Sequence, residues 1–479
     1  MIQCEDLVFR HATSIKDDLD HINLHIRPGE FILLTGMSGS GKSTLTRCIN
    51  GVIPHFIQGS YAGKVQVAGE SVYSSSLHQI GRTVGSVFQD PRSQFFATTV
   101  QDELVFGCEN YGFGLVDMQR RLSEVIEHFS LADVMPRGVF NLSGGERQRV
   151  ALASVAMMSP AVYVLDEPSS NLDVVSIRLL ADMLQLLKAE GSTILIAEHR
   201  FSYLHGLVDR VIYMREGSIE KQFAPEEWWR LSSSDRKELG LREAQDPQLL
   251  MIKKEKRTGG RAFDCELYVK ELSFRYRNLP VLQSVTFQAK VGDVIGIMGN
   301  NGTGKSTLCQ ILCGLKREKE GRVYWNGQPL GMKQRRKWMF VVFQDCEFQL
   351  FAGSVEDELR LGNEKTPKLA EKVEHALQAL SITELRTRHP ATLSGGQKQR
   401  VSIASALVRD TPILMFDEPT SGMDGHHMRQ FAELLQRLSL MGKLVIVVTH
   451  DREFIGQACN RVLHLQDGVL EEFELNEGG

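Results

Sequence analysis

Six short apolar runs punctuate the chain, and they form three matched pairs. FILLTG (31–36) and VIGIMG (294–299) end in glycine, AVYVLDE (161–167) and PILMFDE (412–418) end in two carboxylates, and STILIAEH (192–199) and KLVIVVTH (443–450) end in histidine. Their centres are uninterrupted by charge, so both faces must be covered, as in the strands of a parallel sheet flanked by helices. Polar groups at the carboxyl ends of such strands place ligand chemistry at that edge of an α/β sheet. The pattern therefore predicts an α/β class, and predicts it twice.

The pairing extends along the chain. Lys42 matches Lys305 at an offset of 263 residues, Gln89 matches Gln344 at 255, and Ser143, Asp166 and His199 match Ser394, Asp417 and His450 at 251. The falling offset assigns 8 extra residues to the first copy before its glutamine and 4 more before its serine. The larger insertion falls near GVIPHFIQGSYAGKV (51–65), opposite the shorter CGLKREKEGRV (313–323). A duplication of this kind predicts a first domain at 1–222, a connector at 223–263 and a second domain at 264–479. The connector carries EEWWRLSSSDRKEL (226–239) and the basic run KKEKRTGGR (253–261). Trp228 and Trp229 are expected to pack it onto a domain surface, with the basic run solvated.

Composition narrows the function classes. A net charge of −4, with 42% apolar and 24% charged residues, is an ordinary globular mix whose bulk charge predicts neither a nucleic-acid binder nor a polybasic membrane protein. The longest apolar stretch (150–165) is broken by Ser154, Ser159 and Pro160 and is too short to span a bilayer. The opening MIQCEDLVFR lacks a basic region followed by an apolar one, so no secretory leader is expected. Eight cysteines lie without a CxxC pair, and no His/Cys cluster completes a metal site around Cys309 and Cys313, so reduced buried thiols are expected.

Chemistry enters where the apolar runs stop. GMSGSGKST (Gly36, Met37, Ser38, Gly39, Ser40, Gly41, Lys42, Ser43, Thr44) and GNNGTGKST (Gly299, Asn300, Asn301, Gly302, Thr303, Gly304, Lys305, Ser306, Thr307) both fit GxxxxGK[ST] between a predicted strand and a predicted helix. Such a loop turns backbone N–H groups and a helix N-terminus toward phosphate oxygens. Lys42 and Lys305 are then placed for the β- and γ-phosphates, and Ser43 and Ser306 for Mg²⁺. Asp166 and Asp417 are suited to hold the same ion. Glu167 and Glu418, one residue on, are suited to polarise an attacking water. His199 and His450 are candidates to orient the terminal phosphate. In NLSGGERQR (141–149) and TLSGGQKQR (392–400), a serine and two glycines at a helix start (Ser143, Gly144, Gly145; Ser394, Gly395, Gly396) offer further phosphate donors.

Together these stretches resemble the ATP-binding cassette (ABC) ATPases: a phosphate loop, a glutamine after an apolar strand (Gln89, Gln344), LSGGE or LSGGQ, SSNLD (169–173) or TSGMD (420–424), and a histidine. The resemblance covers nearly the whole chain except the connector. It implies two P-loop NTPase cassettes, each with a mostly parallel sheet and a helical signature subdomain, that bind ATP and Mg²⁺ and hydrolyse ATP. It further implies head-to-tail pairing, with Lys42 facing Ser394 and Lys305 facing Ser143. Tyr276 occupies the adenine-stacking place in the second copy and His11 in the first.

FQDPRSQFF (88–96) and FQDCEFQLF (343–351), each followed by VxDEL, look like the version in energy-coupling factor (ECF) transporter ATPases. That likeness implies a short helix after the glutamine that receives a membrane-embedded T component, a separate S component that binds the solute, and a peripheral position on the cytoplasmic face of the membrane. Phe95, Phe96, Leu350 and Phe351 would form that surface, unless they are core residues. Two alternatives are a soluble tandem cassette acting on ribosomes or nucleic acid, and a tandem sugar-importer ATPase. The short connector argues against the first. The intact lysine, glutamate and histidine of both copies argue against the second. No nucleic-acid partner is expected.

Overall fold

In a computed structural model of the chain, the apolar runs are the central strands of two sheets. The structure describes residues 1–12, 14, 16–245, 251–253, 266–344 and 346–475. The basic run at 253–261 therefore lies outside the described residues, apart from Lys253. Two units divide the chain: Met1–Asp246 with Gly422–Met428, and Pro247–Ser421 with Arg429–Gly479.

In the first unit a six-stranded sheet runs in the order Ser218–Phe223, Arg210–Arg215, Phe31–Gly36, Thr193–Ala197, Val162–Asp166, Val84–Val87. All neighbours are parallel except the first pair, which is a hairpin. Side chains alternate along each strand. Phe31, Leu33, Tyr163, Leu165, Ile194 and Ile196 enter one core, and Ile32, Leu34, Val162, Val164, Leu195 and Ala197 enter the other. Double coverage is the reason these runs carry no polar interruption. The first core also takes Leu104, Cys108, Val125, Val150 and Ala153 from the helices Val100–Asn110, Leu115–His128 and Gly144–Ala156. The second core lies under a four-stranded antiparallel sheet built on Ile2–His11, Leu19–Ile26 and Gly59–Val67. The inserted segment folds as a short helix, Val52–His55, leading into the strand Gly59–Val67.

The second unit repeats the plan. Arg461–Gln466, Val294–Met298, Leu444–Val448, Ile413–Asp417 and Met339–Val342 are parallel neighbours, extended at one edge by the antiparallel strands Val469–Leu475 and Met251–Lys253. A four-stranded antiparallel sheet with Leu267–Tyr276 at its centre covers one face.

The connector's tryptophans behave unequally. Trp228, in the helix Pro225–Trp229, is fully buried in the first unit's core, whereas Trp229 is half-buried against Phe201 and His205. Arg236, also buried, donates to the Trp228 carbonyl at 2.7 Å, and its guanidinium sits 5.4 Å from the Trp228 ring and 5.6 Å from that of Phe201. Tyr213 of the sheet donates to the Leu239 carbonyl at 2.7 Å. The seven described cysteines are all free, and six of them are buried.

Candidate nucleotide site

Parallel strands deliver their carboxyl ends to one edge, and each unit gathers its candidate residues there. Gly36 ends its strand within reach of the neighbouring backbone: a Cβ on it would stand 2.1 Å from the Met214 carbonyl oxygen. Gly41, at φ 98°, turns the chain into the helix Lys42–Ile49, and Gly304, at φ 102°, does so for Lys305–Leu312. Lys42 lies back along its loop, donating to the carbonyls of Gly36 at 3.0 Å and Met37 at 2.9 Å. Lys305 repeats this with Gly299 at 2.8 Å and Asn300 at 2.9 Å. Burial holds the Lys42 ammonium below the usual lysine range, opposed by nearby carboxylates, Glu167 first.

Ser43 Oγ donates to Asp166 Oδ1 at 2.9 Å, and Ser306 Oγ to Asp417 Oδ1 at 3.3 Å. Burial pushes both carboxyls up, Asp417 to about 6. A hydroxyl beside a poorly solvated carboxylate at the mouth of a phosphate loop is a hard-oxygen pair that fits Mg²⁺.

Glu167 and Glu418 take left-handed backbone, φ 45° and 47°. Each still donates its N–H to the adjacent strand, to the Ala197 and Val448 carbonyls, both at 2.8 Å. Glu167 Oε2 accepts from Gln89 Nε2 at 2.9 Å, and its Oε1 lies 3.4 Å from His199 Nε2. Burial would raise Glu167, but its histidine hydrogen bond and Lys42 outweigh that and hold it below the usual carboxylate range. Burial, with Lys42 nearby, lowers His199, opposed by its hydrogen bond to Glu167 and that carboxylate's charge. In the second copy His450 Nδ1 meets Glu418 Oε1 at 3.1 Å, and Thr449 Oγ1 donates to Glu418 Oε2 at 3.0 Å. Gln344 is exposed.

Glu198 was not expected. It stands where the second copy has Thr449 and is buried, accepting from the N–H groups of His199 at 2.9 Å, Arg200 at 3.2 Å and Ser169 at 3.2 Å, and from the Tyr203 hydroxyl at 3.1 Å. Burial, then the Glu167 charge, pushes it up to about 7. Its one signal is a carboxylate inside an otherwise apolar strand end, AEH against VTH.

Ser143 and Ser394 cap the signature helices Gly144–Ala156 and Gly395–Val408, each accepting from the residue three further on. Tyr276 is 44% exposed, with Lys316 over its ring at 4.5 Å and a hydrogen bond between the two side chains. His11 is instead tied to Asp18, its backbone N–H at 2.8 Å and its ring Nδ1 at 2.9 Å from the same carboxylate oxygen. Its edge meets Phe9.

The duplicated nonapeptides have a shared internal build. Each follows an edge strand and forms a 3₁₀ turn, Pro91–Ser93 or Cys346–Gln349. Its second glutamine then reaches back. Gln94 accepts from Phe88 N–H at 3.3 Å and donates to the Ser86 carbonyl at 3.1 Å. Gln349 does the same with Phe343 at 3.0 Å and Val341 at 2.8 Å. Buried Glu103 accepts from Phe96 and Ala97 N–H at 2.9 and 2.8 Å, and buried Glu358 from Phe351 and Ala352 at 2.8 and 2.7 Å. These four side chains pin both loops. The apolar residues divide accordingly: Phe95 packs on the core and Leu350 is half-buried, whereas Phe96 and Phe351 are 74% and 77% exposed. Beside the first loop, a cleft of about 470 Å³ is lined by Arg47, Asn50, Ile57, Gln89 and Asp90 among others.

Comparison with known proteins shows the family to which the chain is similar. A family model described as ABC transporter matches residues 19–170 and 282–421. A Treponema denticola protein, provisionally named an ABC transporter ATP-binding protein, is 40% identical over 479 residues, spanning 98% of this chain and 96% of its own. A Bacillus subtilis protein, provisionally named the HMP/thiamine import ATP-binding protein YkoD, is 31% identical over 98% of this chain and 90% of its own. Among solved structures, a chain from the complex of archaeal ribosomal stalk protein aP1 with the ribosome recycling factor aABCE1 superposes with a TM-score of 0.62. It covers 99% of this chain and 91% of its own at 22% identity, a likeness of fold alone.

Proposed function

Because this chain belongs to the ABC transporter family and is a tandem ABC ATPase, we propose that it is the ATP-hydrolysing subunit of an ECF-type importer. On this reading it lies at the cytoplasmic face of the cell membrane and drives uptake of a small solute through separate T and S components. No described helix is long and apolar enough to cross a membrane, so translocation falls to those partners. The observation that carries the reading is the pinned loop that exposes a phenylalanine, built twice: Phe96, stacked on Phe106 but largely exposed, and Phe351. A loop held by buried side chains while it exposes an aromatic ring is organised for a partner. The import named for the Bacillus subtilis relative supports the same direction.

ATP would be held between the copies, Lys42 with Ser394 and Lys305 with Ser143. Ser43 with Asp166, and Ser306 with Asp417, would hold Mg²⁺, which supplies charge neutralisation on the phosphates. Glu167 and Glu418 would accept the proton of the attacking water, with His199 and His450 orienting the terminal phosphate. Gln89 and Gln344 would link each site to the loop that meets the membrane partner. Tyr276 would stack on adenine in the second copy. Fusion in one chain raises the effective concentration of each half for the other.

Exchanging Phe96 and Phe351 for serine should abolish co-purification with a membrane T component from detergent extract while ATP binding persists. Retained co-purification would remove the basis for the reading.

A further inference from the structure

The two signature helices begin with different third residues, Glu146 in the first copy and Gln397 in the second. Their local geometry is otherwise the same. Ser143 N–H donates to Glu146 Oε2 at 2.7 Å and Glu146 N–H donates to Ser143 Oγ at 3.3 Å. Ser394 N–H donates to Gln397 Oε1 at 3.0 Å and Gln397 N–H donates to Ser394 Oγ at 3.4 Å. Each is a reciprocal capping box. The difference is a negative charge and where it is answered.

Glu146 Oε1 accepts from Arg137 Nη1 at 2.7 Å, and Arg137 Nη2 donates to the Asn141 carbonyl at 2.8 Å. Arg388, at the matching offset of 251 residues, donates instead to the Thr392 carbonyl at 3.1 Å and hydroxyl at 3.5 Å. Arg137 is also fixed through its backbone. Its carbonyl accepts from Val100 N–H at 3.2 Å, and the Thr98 carbonyl accepts from Val139 N–H at 3.1 Å. The residue is thus anchored by its backbone to the helix that follows the pinned loop and by its side chain to the start of the signature helix.

We propose that Arg137 is a positioning residue for the signature-helix terminus, cancelling the Glu146 carboxylate so that Ser143 and the first-turn N–H groups can face a nucleotide phosphate as those of the second copy do. A helix N-terminus carries about half a positive elementary charge. An unanswered carboxylate there would offset it and repel a triphosphate across a short gap. The glutamine of the second copy presents the same capping oxygen without the charge, so Arg388 is not needed for that purpose. The proposal rests on the reading of the signature serines as phosphate-facing.

The test is steady-state ATP hydrolysis by the full chain across ATP concentrations. Arg137→Ala should raise the apparent KM for ATP about two- to fivefold, the scale of a part-exposed charge at a helix end, with kcat less affected. Adding Glu146→Gln to that variant should return KM to the wild-type value. Arg388→Ala, which strands no charge, should leave it unchanged. If the double variant stays impaired, or if Arg388→Ala raises KM equally, Arg137 is a structural brace and the proposal fails. An unchanged KM in Arg137→Ala also overturns it. Arg137→Gln carries the same comparison should the alanine variant not fold. Ser143→Ala separates the underlying reading: unaltered KM and kcat there would mean that the signature does not meet nucleotide, whatever Arg137 does.

Discussion

Gln89 holds Glu167 by one hydrogen bond, Nε2 to Oε2 at 2.9 Å, and so ties the segment that leads into the exposed Phe96 to the carboxylate proposed for water activation. Gln89→Ala should free that carboxylate to rotate. Turnover is expected to fall on the order of tenfold, as orientation effects allow, while ATP affinity changes little. Parallel measurement of turnover and equilibrium nucleotide binding checks this. A loss of binding equal to the loss of turnover would mean that Gln89 serves the loop rather than Glu167.

Both proposed general bases are expected to work. Glu167→Gln and Glu418→Gln should each remove on the order of 10²–10⁴-fold of hydrolysis at its own site, so each single variant loses much of the total rate. If Glu418→Gln turned over ATP at the unmodified rate, the second site would bind nucleotide without hydrolysing it.

Much of this site was legible in the sequence because its parts are local. A phosphate loop, a strand ending in two carboxylates and a capped glycine pair each carry their geometry within a few residues. What could not be read depends on chain segments meeting. Glu198 gains its meaning from Ser169 and Tyr203, and Glu146 from Arg137. Gln94 and Glu103 were visible as repeated letters, but that they grip the two ends of one loop appears only once the edge strand and the following helix are placed. Trp228 illustrates the same point for the fold. A tryptophan pair in a connector suggests surface packing, yet one ring enters the core because Phe201 and Arg236 close over it.

Glu198 should make stability depend on pH in the first unit. Raised from 4.5 to about 7, it is protonated in the folded chain and ionised in the unfolded chain between those values. The folded state then binds more protons, so stability falls as pH rises through that window and stays lower above it. Its ionisation costs about 3 kcal/mol at pH 8 by this linkage. The effect of Glu198→Gln on Tm should therefore be more favourable at pH 8 than at pH 5, by roughly 6–12 °C at 2–4 °C per kcal/mol; the amide Nε2, which cannot accept from Ser169 N–H as Oε2 does, lowers both values alike. Thermal unfolding at both values decides; an equal shift at the two would exclude the titration of Glu198 as the cause.

Removing Glu103 should loosen the pinned loop without touching the phosphate loop. Glu103→Ala leaves the Phe96 and Ala97 N–H groups without their acceptor, a cost of roughly 1–3 kcal/mol. Amide exchange at those two residues should quicken, and ATP binding should persist. Unchanged exchange would show that the loop is held by its packing alone.

The left-handed backbone of Glu167 and Glu418 gives the two sites a fragile place in sequence space. A side chain with a Cβ loses roughly 1–2 kcal/mol in that conformation, and only glycine, asparagine and aspartate adopt it readily. Glycine and asparagine supply no base, and the aspartate carboxylate stands one methylene shorter. Variants selected for heat resistance alone would therefore drift toward glycine or asparagine at both positions and grow hardier as they lost their chemistry. Glu216 and Glu271, outside the site, take the same backbone, so it is a cost this fold bears elsewhere; at Glu167 and Glu418 it is the cost of holding a carboxylate at the strand end.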